Sequence, residues 1–287
     1  MDTKQLVLTC VFVVVLCFLS FGCGKNQKAD NAETAKTELL LYCGAGIRPA
    51  ADALIEAFEQ ENDVKINATY AGSGRLLGQI SSLQTGDLFM PGAELYVDKA
   101  IEKGLAVGET KRVAAYFVPV IFVEKENPKQ IRSLLDLKKK GIRVGLGDER
   151  ACAIGKQTLK LLEKNNISYS DIEKNVVYKS GTVNELGLAV QLKNVDAVVL
   201  WDANARHFME SGMVVPIPME DNLPAVIPIV LLRSSRYSEE AIRFIDFVTS
   251  ENGRAILTEK GYTVSFDLNI ERTKQEEGTA RPSAETD

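Results

Sequence analysis

The sequence predicts an α/β protein of two lobes, with mixed, mainly parallel sheets flanked by helices and a hinge between the lobes. Three observations carry this reading. Apolar runs of strand length alternate with amphipathic stretches of helix length, the pattern of parallel strands covered by helices. A strand, a small-residue loop and a helix recur four times. Two extended runs, Ala115 to Glu124 and Ala225 to Leu232, each hold a proline, which suits a passage between lobes better than a central strand.

The N-terminus comes first. Lys4 is the only basic residue before an apolar run from Leu6 to Phe21. That run has the length of a signal-peptide core and is short for a membrane span, which takes about 20 residues. Residues 1–22 therefore read as a signal peptide. Lys25 to Thr37 is polar and alanine-rich, so 23–37 reads as a flexible tether. The body divides into a first lobe over 38–118, a second over 119–225, and a hinge return with C-terminal helices over 226–270. The polar tail over 271–287 is expected to be disordered.

Within the body, Leu39 to Tyr42 has the length of a buried strand. Pro49 then opens a helix whose Ala51, Leu54, Ile55 and Phe58 share one face. Val64 to Tyr70 alternates apolar and polar residues as a strand does, and the next helix sets Leu76, Leu77, Ile80 and Leu83 on one face. Ala93 to Lys103 is a third helix, stopped by Gly104. The pattern recurs with strands at Ile142 to Leu146, Val176 to Tyr178 and Asp196 to Trp201. Helices run from Ile154 to Asn165 and from the Gly181 loop through Leu192. The last helices lie at Glu239 to Thr249 and Glu251 to Lys260.

Composition excludes several functions. The formal net charge is −5, and the only basic run in the body is Lys138-Lys139-Lys140, so nucleic acid is not an expected partner. One histidine, His207, and no C-x-x-C pair argue against a zinc site. Neither G-x-G-x-x-G nor a phosphate loop ending in G-K-[ST] occurs, so no nucleotide cofactor is expected. Cys43 and Cys152 are open to two readings, a disulfide or two small buried thiols behind tight loops.

The four strand–loop–helix junctions carry the functional expectation. They centre on Gly44-Ala45-Gly46, Gly72-Ser73-Gly74, Ala151-Cys152-Ala153 and Gly181-Thr182-Val183. Ligands of open parallel sheets bind beyond the carboxyl ends of the strands. Each helix start there offers unpaired backbone N–H groups and about half a positive charge. Small residues let an anion reach that backbone, and Ser73 and Thr182 add hydroxyl donors.

Leu19-Ser20-Phe21-Gly22-Cys23-Gly24 resembles a bacterial lipobox, with Ser20 where leucine is most common. That resemblance implies cleavage before Cys23, lipidation of its thiol, and an exported protein held on the membrane by a lipid anchor. From Leu39 to Tyr262 the chain resembles the molybdate/tungstate-binding proteins of ABC transporters, within the two-lobed periplasmic binding proteins. Leu40 to Gly46, Tyr70 to Gly74, Gly86 to Met90, Cys152 to Gly155, Asp196 to Trp201 and Glu251 to Leu257 carry it. The resemblance implies a monomeric carrier that closes around a tetrahedral oxyanion and hands it to a permease. The contacts it implies are Ala45, Gly46, Ser73, Cys152, Ala153, Thr182, Val183 and Trp201. Gly46 stands where the family often has serine, and Trp201 where many members have tyrosine. Indole donates one hydrogen bond and accepts none, which suits an unprotonated anion.

Archaeal relatives complete an octahedral metal site with two carboxylates, for which Asp148 and Asp202 are the nearest candidates here. The tetrahedral mode is the expectation. Sulfate and related anions are the alternative ligands, and an enzyme and a sensory lipoprotein on this scaffold are the alternative classes. An enzyme would have to draw on Asp148, Asp202, Cys152 and His207, which no recognisable motif joins, so no catalytic residue is assigned. Arg48, Arg75 and Arg150 border the loops, either as solvated helix-start residues or as charges that attract an anion.

Overall fold

The computed structural model describes residues 36–266. The signal peptide, Cys23, the tether as far as residue 35 and the C-terminal tail lie outside the described residues.

The first sheet is built from β1 (Thr37–Gly44), followed by a 3-10 turn over Ala45–Ile47 and α1 (Arg48–Glu61). Then come β2 (Val64–Ala71), α2 (Ser73–Leu83), β3 (Leu88–Met90), α3 (Glu94–Glu102) and β4 (Arg112–Phe117). The second sheet holds β5 (Pro119–Glu124), β6 (Val144–Gly147), α4 (Ala153–Lys164), the short α5 (Tyr169–Ile172) and β7 (Val176–Ser180). It continues with α6 (Val183–Gln191), β8 (Ala197–Trp201), the short α7 (Asp202–Ala205) and β9 (Gly212–Val215). The chain returns to the first sheet in β10 (Ala225–Leu231) and ends in α8 (Ser238–Thr249) and α9 (Glu251–Glu259).

Strand orders are β2-β1-β3-β10-β4 and β7-β6-β8-β5-β9. In each sheet three parallel strands meet an antiparallel fourth, which pairs antiparallel with a fifth. The antiparallel fourth strand, β10 or β5, is in both cases the strand that arrives directly from the other sheet. Two passages join the lobes: Val118 alone, and residues 216–224.

The helix faces read from the sequence are mostly the buried ones. Leu54, Ile55 and Phe58 of α1 are buried, and Phe58 meets the Phe244 ring of α8 edge-on at 5.2 Å. Leu76, Leu77 and Ile80 of α2 are buried, whereas Leu83, expected on the same face, is 61% exposed at the helix end. Asp87, at the head of β3, braces its loop by accepting the Leu40 N–H at 2.7 Å and the Ser235 hydroxyl at 2.7 Å.

The two proline runs correct the expectation that they avoid central positions. Both β5 and β10 are interior strands. Pro119 is tolerated because it heads its strand, and Pro228 because the register with β4 shifts between Ile227 and Pro228. At a bulge the missing N–H breaks no regular ladder bond.

The passages are fastened by side chains. Asp202 Oδ1 accepts the Val118 N–H at 3.1 Å, and the Asp202 N–H donates back to the Val118 carbonyl at 2.8 Å. Buried Asn222 donates from Nδ2 to the carbonyls of Pro119 and Ile217, and its Oδ1 accepts the Leu223 N–H. One amide thus ties the second passage to the start of β5, with both of its ends satisfied.

A second buried polar group fixes the start of β8. Asp196 accepts the Arg143 backbone N–H at 2.7 Å and two guanidinium bonds at 3.2 and 2.7 Å. Burial alone would raise its carboxyl pKa, but the bonds from Arg143 outweigh that and hold it below the ordinary value. A depressed carboxyl contributes stability above its unfolded pKa, near 4, and loses that contribution as pH falls through the folded value. Asp196→Asn should therefore cost about 1.5–3 kcal/mol at pH 7, the worth of a charge-assisted bond. The gap between urea melts of wild type and variant should narrow as pH falls below about 4.

Candidate functional site

Beyond the carboxyl ends of β1, β2, β3, β6, β7 and β8 the two lobes face one another across a small cavity, ≈ 20 Å³ in volume. It has room for about one water molecule. The 3-10 turn after β1 supplies Ala45, Gly46 and Ile47, and the start of α2 supplies Gly72 and Ser73. Cys152, Ala153 and Ile154 come from the start of α4, and Thr182 and Val183 from the start of α6. Trp201 ends β8 and closes one wall.

All eight residues singled out in the sequence, Ala45, Gly46, Ser73, Cys152, Ala153, Thr182, Val183 and Trp201, line this one cavity. Asp148 and Asp202 do not. The Asp148 carboxylate is turned into its own loop, accepting the Arg150 N–H at 2.8 Å and the Ala151 N–H at 3.2 Å. Asp202 grips Val118, and burial raises its carboxyl pKa. The three arginines stand outside as well: Arg48 pairs with Asp52 at 3.3 Å and lies over the Tyr70 ring, and Arg75 and Arg150 are exposed. His207 is exposed.

Sequence reasoning left out Gly92 and Phe117. Pro91-Gly92 directly after β3 is a turn signal at a strand end, and would have pointed to the first. Phe117 had no local signal. Its ring stacks on Trp201 at 4.8 Å between centroids and 6° between planes, a contact across 84 residues of sequence.

No lining residue carries a charge. The donors are therefore dipoles. The residues preceding the 3-10 turn, α2, α4, α6 and α7 make no side-chain capping bond, so their first N–H groups are not taken up by those side chains. One of them, the Gly74 N–H, crosses the cleft to the Ala151 carbonyl at 3.0 Å. Buried Ser73 accepts the Gly92 N–H at 3.0 Å, and its own hydroxyl hydrogen has no protein acceptor among the described residues. Ser73 lines the cavity, so its hydroxyl is free to donate to whatever fills it.

Cys43 and Cys152 are both buried and free, which settles the two readings in favour of thiols. Burial pushes the Cys152 thiol up to about 11, and the Cys43 thiol higher still. Neither forms an appreciable thiolate at neutral pH, so neither is an activated nucleophile.

The lobes meet closely. A methyl group at Gly72 would overlap the carbonyl oxygens of Ala151 and Gly181, and one at Gly74 that of Arg150. The glycines of this loop let backbone approach backbone across the cleft.

Comparison with known proteins places this architecture. The family model described as bacterial extracellular solute-binding protein matches residues 39–263. A Haemophilus influenzae protein, provisionally named a binding protein, is 32% identical over 225 residues, covering 78% of this chain and 90% of its own. The molybdate-binding protein ModA of Mycobacterium tuberculosis is 24% identical over 245 residues, covering 84% of this chain and 91% of its own. Among solved structures, the sulfate-binding protein SubI of M. tuberculosis superposes with a TM-score of 0.72 at 18% identity, covering 83% of this chain and 91% of that one. With its two mixed sheets, its cleft beyond the strand ends and a match across the whole described body, the chain belongs to the bacterial extracellular solute-binding proteins.

Proposed function

We propose that the protein captures a tetrahedral oxyanion, molybdate or tungstate, between its two lobes and delivers it to the permease of an ABC importer. The observation that carries this is the cavity itself, where uncapped helix starts converge on a space with no charged side chain. A dianion there is held by N–H dipoles and hydroxyl donors rather than by a counter-charge. The lining is rich in donors and holds no side-chain carboxylate, which favours an anion that carries no proton. The molybdate-binding relative supports the choice of ion.

Sulfate is the second reading, favoured by the likeness in fold to the sulfate-binding protein. Charge and shape do not separate the three anions. An enzymatic role is disfavoured because the two carboxylates and the histidine stand outside the cavity and the Cys152 thiol is held protonated. The ligand contacts are Ala45, Gly46, Ser73, Cys152, Ala153, Thr182, Val183 and Trp201, with no cofactor and no octahedral metal site. The protein acts as an exported monomer, tethered through lipid on Cys23.

Calorimetric titration with molybdate, tungstate and sulfate in competition tests this reading. Micromolar or tighter binding, about −8 kcal/mol or stronger, is expected for at least one metal oxyanion. Absence of heat and of thermal shift with all three would refute it, and tight binding of sulfate alone would establish the second reading. Trp201, the sole tryptophan, should report binding by a change in fluorescence. Ser73→Ala should weaken binding by about 1–3 kcal/mol through loss of one hydrogen bond to charge, and unchanged affinity would remove Ser73 from contact with ligand.

A further inference from the structure

Closure of the cleft involves a residue that the cavity does not contain. Asn204, in α7 of the second lobe, is completely buried at 0% exposure. Its Nδ2 donates to the Gly46 carbonyl of the first lobe at 3.0 Å and to Asn184 Oδ1 at 3.4 Å. Asn184, in the first turn of α6, donates in turn to the Ala45 carbonyl at 3.3 Å. From the first lobe itself, the Tyr262 hydroxyl donates to the same Gly46 carbonyl at 2.7 Å. Two successive carbonyls of the cavity loop are therefore held by amides from across the cleft.

The orientation of the Asn204 amide follows from its two acceptors, which place nitrogen on that side. The other end, Oδ1, is buried with no partner among the described residues. Gly46 permits this approach, since a side chain there would press on Asn204 Oδ1 at 2.9 Å and on Val183 Cγ1 at 2.7 Å. The glycine that stands where the resemblance leads one to expect serine is thus matched to an asparagine far away in sequence.

A buried amide with one end idle weakens its own contribution, and water would satisfy that end if the lobes parted. The contact therefore favours the closed form by a modest amount, whether or not solute fills the cleft. It also shares a short segment with two other parts. Trp201 walls the cavity, Asp202 grips the Val118 passage, and Asn204 reaches the opposite lobe.

We propose that Asn204 is the inter-lobe latch: a positioning residue that holds the Ala45–Gly46 loop in the closed form and sets how slowly solute is released, without touching the solute. The latch rests on the reading of the cleft as the solute site, not on which anion fills it. Its bonds form only on closure, so they act on release and not on capture.

The test compares wild type, Asn204→Ala and Asn184→Ala by stopped-flow Trp201 fluorescence, with whichever of molybdate, tungstate or sulfate shifts the wild-type melting temperature. Asn204→Ala should release the anion about tenfold faster, the factor expected for one buried hydrogen bond, with the association rate constant within about twofold of wild type. Asn184 is exposed, so its variant tests the same seam without a cavity in the core, and should speed release by a smaller factor. A lower melting temperature with unchanged release in both variants would assign the residues to stability alone and overturn the latch. If none of the three anions binds wild type, the oxyanion reading falls separately, and small-angle scattering decides the latch. A larger radius of gyration for Asn204→Ala than for wild type supports it, and equal radii overturn it.

Discussion

Backbone N–H groups that no side chain caps are the constraint on which the rest of the structure depends. Six parallel strands end at one seam, and the turn or helix that follows β1, β2, β6, β7 and β8 begins without a capping side chain. Buried N–H groups require acceptors, and the first four of these starts line a cavity whose side chains bring no carboxylate. Small residues at Ala45, Gly46, Ala153 and Val183 follow from the same need, because a long side chain would stand between the backbone and anything placed there. On the proposed reading, the anion is the acceptor that completes a set of bonds the protein leaves open.

On the proposed reading, the hinge must permit that seam to open while keeping the lobes in register. A single residue, Val118, makes one passage and is gripped on both its N–H and its carbonyl by Asp202. The other passage is tied to Pro119 by Asn222. The ties lie at the crossing, and the bonds that would part on opening are others, at Gly46, Gly74 and Ala151, the first of them made by Asn204 only two residues along from Asp202. This separation of fixed and breakable bonds is what a hinge-bending motion requires.

Much of this was legible in the sequence, for a physical reason. A small residue after an apolar strand is a local signal, and so is an amphipathic period, so the four loops and the faces of α1 and α2 could be read directly. The features that escaped depend on partners distant along the chain. Asn204 meets Gly46 across 158 residues, Asn222 meets Pro119 across 103, and neither asparagine has a neighbour in sequence that marks it. Pro119 and Pro228 misled for a related reason. A proline argues against a central strand only when the ladder beside it is regular, and the bulge at Ile227 and Pro228 is a property of the pairing with β4.

The exchange of strands between the sheets has a consequence for how the molecule is made. The first sheet places β10 between β3 and β4, so it stays incomplete until residue 231 has been synthesised. Its N-terminal part cannot lock into final form early, because the strand that bridges β3 to β4 comes after the whole second lobe. Contacts of such long sequence separation form slowly. For a chain of an extracellular family, the first lobe is thus a product of both ends of the body, complete only when the strand that follows the second lobe is in hand.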